Sequence, residues 1–316
     1  MASHCNMEGN EMQAFVDGLI QANRHWTAQG TVATYIPELG KQQPDLLGIS
    51  ICSVDGNQWH AGDWQAPFTV QSISKVVTFI GALLDNDYDT LTKTISVAPT
   101  ADGFNSIVNL ETKNKHRPLN AMINSGAIAS IALVKGADME ARFQRVFAMM
   151  KAMAGRETLQ VNEAVYQSEK RTGDRNRALA YYMKSTGIVT GDVEELLDAY
   201  FRLCSVEVNC QDISVMAAVL ASDGVSPLTG ESIFDHQTAR IVKAVMTTCG
   251  MYDGSGEFAV EVGMPGKSGV GGGIMAVSPR RMGIGVMGPA LDPKGNSLGG
   301  WKLLQRLSQA CDLSIF

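Results

Sequence analysis

The chain has 316 residues, with 26 Lys and Arg against 32 Asp and Glu for a net charge of −6, and is 45% hydrophobic but only 18% charged. That composition buries a large core and excludes disordered and fibrous classes. With no run of five basic residues, the acidic balance also argues against nucleic acid or an anionic membrane as the main partner. A small molecule is then the default ligand.

Met1 to Glu8 lack a basic segment followed by an apolar one, so nothing there would direct export and a cytoplasmic location is expected. Leu46 to Val54, the pair Asp55-Gly56 and Gln58 to Gly62 read as strand, tight turn and strand, a β-hairpin. Ser72-Ile73-Ser74-Lys75 opens a core-facing helix, because Ile73, Val76, Val77, Ile80, Leu83 and Leu84 recur at helical spacing. Roughly residues 100 to 250 are helical in pattern, as in Leu196-Leu197, Tyr200-Phe201 and Leu203-Cys204. A second hairpin is predicted from Gly273–Val277 and Met282–Met287 around Ser278-Pro279-Arg280-Arg281. From Trp301 to Leu313, Leu303, Leu304, Leu307 and Ala310 form one face that would pack on the sheet. No apolar stretch approaches the ~20 residues that span a bilayer.

Terminal strands enclosing a helical middle predict an α/β (α+β) molecule: a mostly antiparallel sheet flanked by helices, with an inserted helical lobe. Residues 1–316 read as a single catalytic unit. Its sheet lobe would comprise residues 25–90 plus 250–316 and its helical lobe residues 91–249, with a ligand cleft between them.

Six cysteines (Cys5, Cys52, Cys204, Cys210, Cys249 and Cys311) are scattered without CxxC spacing, so reduced, buried thiols are expected rather than disulfides or zinc. The five histidines show no HExxH-like spacing, which leaves a metal or Ser-His mechanism with little support. Cys249 is a poor nucleophile candidate, with no histidine near it in sequence.

Two short segments carry chemistry. Ser72 and Lys75 form the single SxxK of the chain and share a helix face one turn apart. An isolated SxxK is ordinarily a helix start with a snorkelling lysine. An amine beside an apolar stripe, however, loses basicity through desolvation and can take a proton from the serine. Gly266-Lys267-Ser268-Gly269-Val270-Gly271-Gly272-Gly273 leads into a strand, and its glycines let backbone amides approach a ligand closely, as an oxyanion hole needs. The spacing does not fit a P-loop, and strand rather than helix follows the Gly-rich segment, so nucleotide binding is not expected. SxxK followed by KSG matches the active-site pair of serine β-lactamases and penicillin-binding proteins. Their third element has no clean counterpart. Ser222-Asp223-Gly224 lacks the Asn, and Asn124 is the better-placed candidate.

With these blocks the chain resembles the serine-dependent glutaminases, which share the β-lactamase-like fold and hydrolyse L-glutamine to L-glutamate and ammonia. The resemblance runs from about Gly30 to Leu298. It is carried by Gly30 to Pro37, Gln71 to Lys75, Asn120 to Ala127, Ser168-Glu169, Asp174-Arg175-Asn176, Tyr200-Phe201, Cys249 to Tyr252 and Lys267 to Val270. Thr34 and Ser125 depart from the family's Asp and Ala.

The resemblance implies Ser72 as nucleophile, Lys75 as its activating partner, Tyr252 as second proton carrier and Val270 in the oxyanion hole. It also implies substrate contacts from Tyr35, Asn124, Glu169, Asn176, Tyr200 and Tyr252, no metal or cofactor, and a homo-oligomer, either dimer or tetramer. Independently, a free amino acid needs an anion for its ammonium, and Glu169 supplies one. Its surroundings, Lys170-Arg171-Thr172-Gly173-Asp174-Arg175, would otherwise read as a solvated face. A lactamase or DD-peptidase, or a ligand sensor without turnover, is the alternative on the same fold.

Overall fold

Both predicted hairpins form, and they join edge to edge in a computed structural model that describes residues 9–112 and 116–316. The strands are β1 (Gly48–Ser53), β2 (Gln58–Gly62), β3 (Phe68–Thr69), β4 (Gln160–Val161), β5 (Val206–Val208), β6 (Gly266–Ser268), β7 (Gly273–Ser278) and β8 (Met282–Met287). Five of them make an antiparallel sheet in the order β2-β1-β8-β7-β6. Short β3, β5 and β4 make a second sheet that the periodicity of so few residues does not announce.

The helices are α1 (Gly9–Asn23), α2 (Ser74–Asp85), α3 (Tyr88–Thr94), α4 (Val108–Thr112), α5 (Asn124–Leu133), α6 (Met139–Ala154) and α7 (Glu163–Thr172). They continue with α8 (Asp174–Ser185), α9 (Val193–Cys204), α10 (Cys210–Ala221), α11 (His236–Cys249), α12 (Ser255–Glu261) and α13 (Leu298–Cys311). No helix among the described residues is long and apolar enough to cross a membrane.

Alternation along the strands divides the sheet into two faces. Ile49, Ile51, Ile274, Ala276, Ile284 and Val286 share one core with Val16 of α1 and with Leu303, Leu304 and Leu307 of α13. The expected fourth contact of α13 is corrected: Ala310 is exposed, and Cys311, one residue further round, is buried. On the opposite face α10 lies directly on the sheet. A Cβ at Gly283 or Gly285 would stand 2.0 Å from the Ala218 nitrogen or 2.3 Å from the Cys210 oxygen, so glycine sets that approach. Beyond α10, the larger core gathers α2, α5, α6, α9 and α11.

α2 runs through the middle of this core. Its first nine residues, Ser74 to Ala82, are buried on every side rather than along one stripe, while Leu83 and Leu84 are half-buried. The helix is preceded by a 3₁₀ turn, Gln71–Ile73, against which the edge strand β6 packs. Ser72 therefore sits where the sheet edge meets the helices. Cys52, Cys204, Cys210, Cys249 and Cys311 are free and buried; Cys5 lies outside the described residues.

Candidate active site

Lys75 occupies the first turn of α2, one turn beyond Ser72, and its Nζ reaches Ser72 Oγ at 2.5 Å. The lysine is 1% exposed, and burial lowers its pKa from 10.5 to about 8, partly offset by the field of Glu169. Such an amine is substantially neutral near pH 8 and can accept the serine proton along the contact through which its charged form donates.

Gln71, just before the serine, holds a left-handed φ of 46°, a conformation that only surrounding structure sustains in a non-glycine residue. Its side chain hydrogen-bonds Thr69 Oγ1 and Glu169.

The Gly-rich segment is strand, turn and strand: β6, then 269–272, then β7. A Cβ at Gly269 would lie 2.8 Å from the Val70 oxygen, and one at Gly271 would lie 2.6 Å from the Thr69 oxygen. Their lack of side chains presses the turn, with Val270 between them, against the chain that leads into Ser72.

Lys267 in β6 is wholly buried. It donates to the carbonyls of Gly250 at 3.0 Å and Ser268 at 2.7 Å. Its Nζ stands 4.4 Å from the centre of the Tyr252 ring, and burial, together with the charge of Lys75, drives its pKa well down. Tyr252, with φ 56°, donates to the Ser268 carbonyl at 3.1 Å and hydrogen-bonds Ser72. Burial raises its pKa, so the phenol keeps its proton until a partner takes it.

The helical elements complete the pocket. Asn124 begins α5, and its Nδ2 donates to Asn176 Oδ1 of α8 at 2.8 Å. Tyr200 and Cys204 project from α9, both buried. Glu169 of α7 is 6% exposed; burial raises its pKa to about 7, against the pull of its Gln71 hydrogen bond and of the Lys75 charge. Neighbouring Lys170 and Arg171 are exposed, so the solvated-face reading holds for them and fails for Glu169. Val165, Ser168 and Glu169 occupy the buried face of α7, and the i, i+4 step from Val165 is the sequence signal that separates Glu169 from its charged neighbours.

Tyr35, Ser72, Asn124, Glu169, Asn176, Tyr200 and Val270 all line one cavity of about 90 Å³. Lys75 and Tyr252 back it through Ser72. Tyr35 is 56% exposed and stands at the mouth. Gln71, Phe104, Asn105, Arg175 and Cys204 also line it, and no motif or spacing in the chain marks them for a role there. The backbone amide of Asn124 donates to the Phe104 carbonyl at 2.9 Å, and Arg175 Nε to the Asn105 carbonyl at 2.9 Å. These loop contacts have no periodic signature. Among the described residues no cluster of three His, Cys, Asp or Glu could hold a metal ion.

Residues 30–316 match the model of the glutaminase family. The chain belongs to that family. The glutaminase of Clostridium tetani is 55% identical over 305 residues, covering 96% of this chain and 100% of its own length. That of Clostridium botulinum is 52% identical over the same coverage. A probable glutaminase from Bacillus subtilis, solved in complex with 6-diazo-5-oxo-L-norleucine, superposes with a TM-score of 0.89 at 36% identity and covers all of both chains. A covalent complex of a Bacillus subtilis glutaminase with 5-oxo-L-norleucine superposes with a TM-score of 0.88 at 38% identity, over 96% of this chain and all of that one. The fold is therefore the β-lactamase-like fold of the glutaminases, as the sequence resemblance implied, and the activity is that of a glutaminase, hydrolysis of L-glutamine to L-glutamate and ammonia. The lactamase and sensor alternatives are not favoured.

Proposed function

We propose that this glutaminase works through an acyl-enzyme on Ser72. The observation that carries the reading is the buried contact between Ser72 Oγ and the amine of Lys75, whose basicity burial has already reduced. Neutral Lys75 takes the Ser72 proton as the oxygen attacks the side-chain amide carbon of glutamine. The amides of Ser72 and Val270 hold the oxyanion, and Tyr252 passes a proton to the leaving nitrogen while the Ser72 proton returns from Lys75 to the phenol, which leaves the amine neutral for the second step. Water then attacks the ester and frees glutamate.

Glu169 receives the substrate ammonium, because bringing a cation against a buried carboxylate returns the charge partner that burial denies it. The Asn124–Asn176 pair, Tyr35 and Tyr200 supply neutral donors for the carboxylate end. No step calls for a metal or organic cofactor.

A cytoplasmic location and self-association into a dimer or tetramer belong to the same reading, checked by fractionation and by light scattering of the purified protein. The catalytic assignment is tested with Ser72→Ala. Glutamate and ammonia release should fall at least a thousand-fold with thermal unfolding unchanged; activity within a few-fold of the parent would overturn it.

A further inference from the structure

During acyl transfer the glutamyl chain occupies the pocket from Ser72 to the mouth, yet ammonia has to leave and water has to reach the same carbonyl carbon. A second, smaller cleft is bordered by the rings of Phe104 and Tyr252, whose centroids are 4.9 Å apart. Thr100, Asp102, Asn120 and Cys249 line this cleft together with those two rings, and its volume is about 10 Å³, room for a single water-sized molecule.

Asp102 is exposed at its outer end, while Asn120, Cys249 and Tyr252 are buried at its inner end. The Asn120 side chain is already engaged, donating to the Ala98 carbonyl and accepting from the Met122 amide. The Cys249 thiol, its pKa raised by burial, stays uncharged. The inner walls are thus neutral, and Asp102 is the one charged group on the lining. Phe104 lines both this cleft and the substrate cavity, and Ile123 of the cleft is followed in the chain by Asn124 of the cavity, so the two spaces share a wall.

We propose that the cleft is the passage through which ammonia leaves and the hydrolytic water enters, with Tyr252 as the wall past which both move. The proposal rests on the acyl-enzyme reading above. In acylation the amide C–N bond breaks, and the nitrogen takes the proton that Ser72 gave up and departs as ammonia. In deacylation the water oxygen bonds to the acyl carbon, its proton passes by way of Lys75 and Tyr252 to Ser72 Oγ, and the ester bond breaks. Both passengers are neutral and of the size the cleft admits, whereas glutamate leaves by the mouth it entered.

Hydroxylamine, slightly larger than water, competes for the acyl-enzyme and gives a hydroxamate in place of glutamate, so the ratio of the two products reads the width of the water route. Cys249→Phe, which fills the cleft, should lower kcat about ten-fold, lower the hydroxamate-to-glutamate ratio several-fold, and let a glutamyl adduct accumulate in acid-quenched enzyme. Cys249→Ala, which widens it, should raise the ratio. Should the larger side chain prevent folding, Thr100→Trp at the outer end makes the same obstruction without touching the core and should act in the same direction. The parent's ratio and kcat in all of these folded variants would overturn the passage alone. A parent that forms neither hydroxamate nor adduct would overturn the acyl-enzyme and the passage with it.

Discussion

Between the five-stranded sheet and α13 the interior consists of Ile49, Ile51, Ile274, Ile284, Val286, Leu303 and Leu304, all apolar and inaccessible. Around Ser72, at equal depth, it consists of Lys75, Glu169, Lys267, Tyr200 and Cys204. The first region contributes stability by removing hydrocarbon from water. The second spends some of that stability, because burial pushes Lys75 and Lys267 toward the neutral amine and Glu169 toward the protonated acid, away from the charged forms that water favours. The displacement of Lys75 from 10.5 to about 8 alone corresponds to about 3 kcal/mol. In the proposed mechanism that cost is what makes its amine available as a base, which sets what folds the chain against what makes it reactive at one helix, α2.

Replacing residues in each region should therefore give opposite pairs of effects. Lys75→Met should have the largest, a loss of activity of at least a thousand-fold together with a rise in thermal stability at pH 7. The stability gain has a definite pH window. Folded Lys75 releases its proton near pH 8 and the unfolded residue near 10.5, so the penalty is full below pH 8 and fades as pH rises toward 10.5. Melting curves at pH 7 and pH 10 check it, and equal gains at both would mean that packing rather than charge is responsible.

Ile284→Ala in the sheet should do the converse. It should cost about 2–5 kcal/mol of stability and leave the activity of the folded fraction near that of the parent, as denaturant melts and kcat would show. Glu169→Gln should cost about 1.5–3 kcal/mol in kcat/KM, seen chiefly as a raised KM for glutamine. Lys170→Gln and Arg171→Gln on the same helix should change little, since both are exposed. A common small loss in all three would return Glu169 to the solvated face.

The same contrast explains what could be read from the sequence. The hairpins were legible because period-two alternation and tight turns are local, and Gly283 and Gly285 alternate with Ile284 and Val286 in plain view. α2 was legible as a helix and Ser72-Lys75 as a pair, since spacing fixes their common face. Val270 could be placed only through the KSG motif, because its position depends on how closely Gly269 and Gly271 approach a distant strand. Phe104, Asn105 and Arg175 could not be placed at all: they reach the pocket through loop backbone contacts between residues far apart in the chain. The left-handed backbone at Gln71 and Tyr252 is likewise a product of tertiary packing with no mark in the residue types.

The proposed mechanism turns on a neutral lysine working beside a charged glutamate, and the pH dependence of kcat/KM for glutamine tests that most directly. In that mechanism both groups act in their deprotonated forms, with pKa values of about 8 and about 7, so kcat/KM should climb from pH 6 and level off above pH 8. In Glu169→Gln the midpoint of the remaining limb should move to lower pH, because the carboxylate that raises the pKa of Lys75 is gone. A profile that is flat or falling between pH 6 and pH 8 would contradict a lysine base at Ser72.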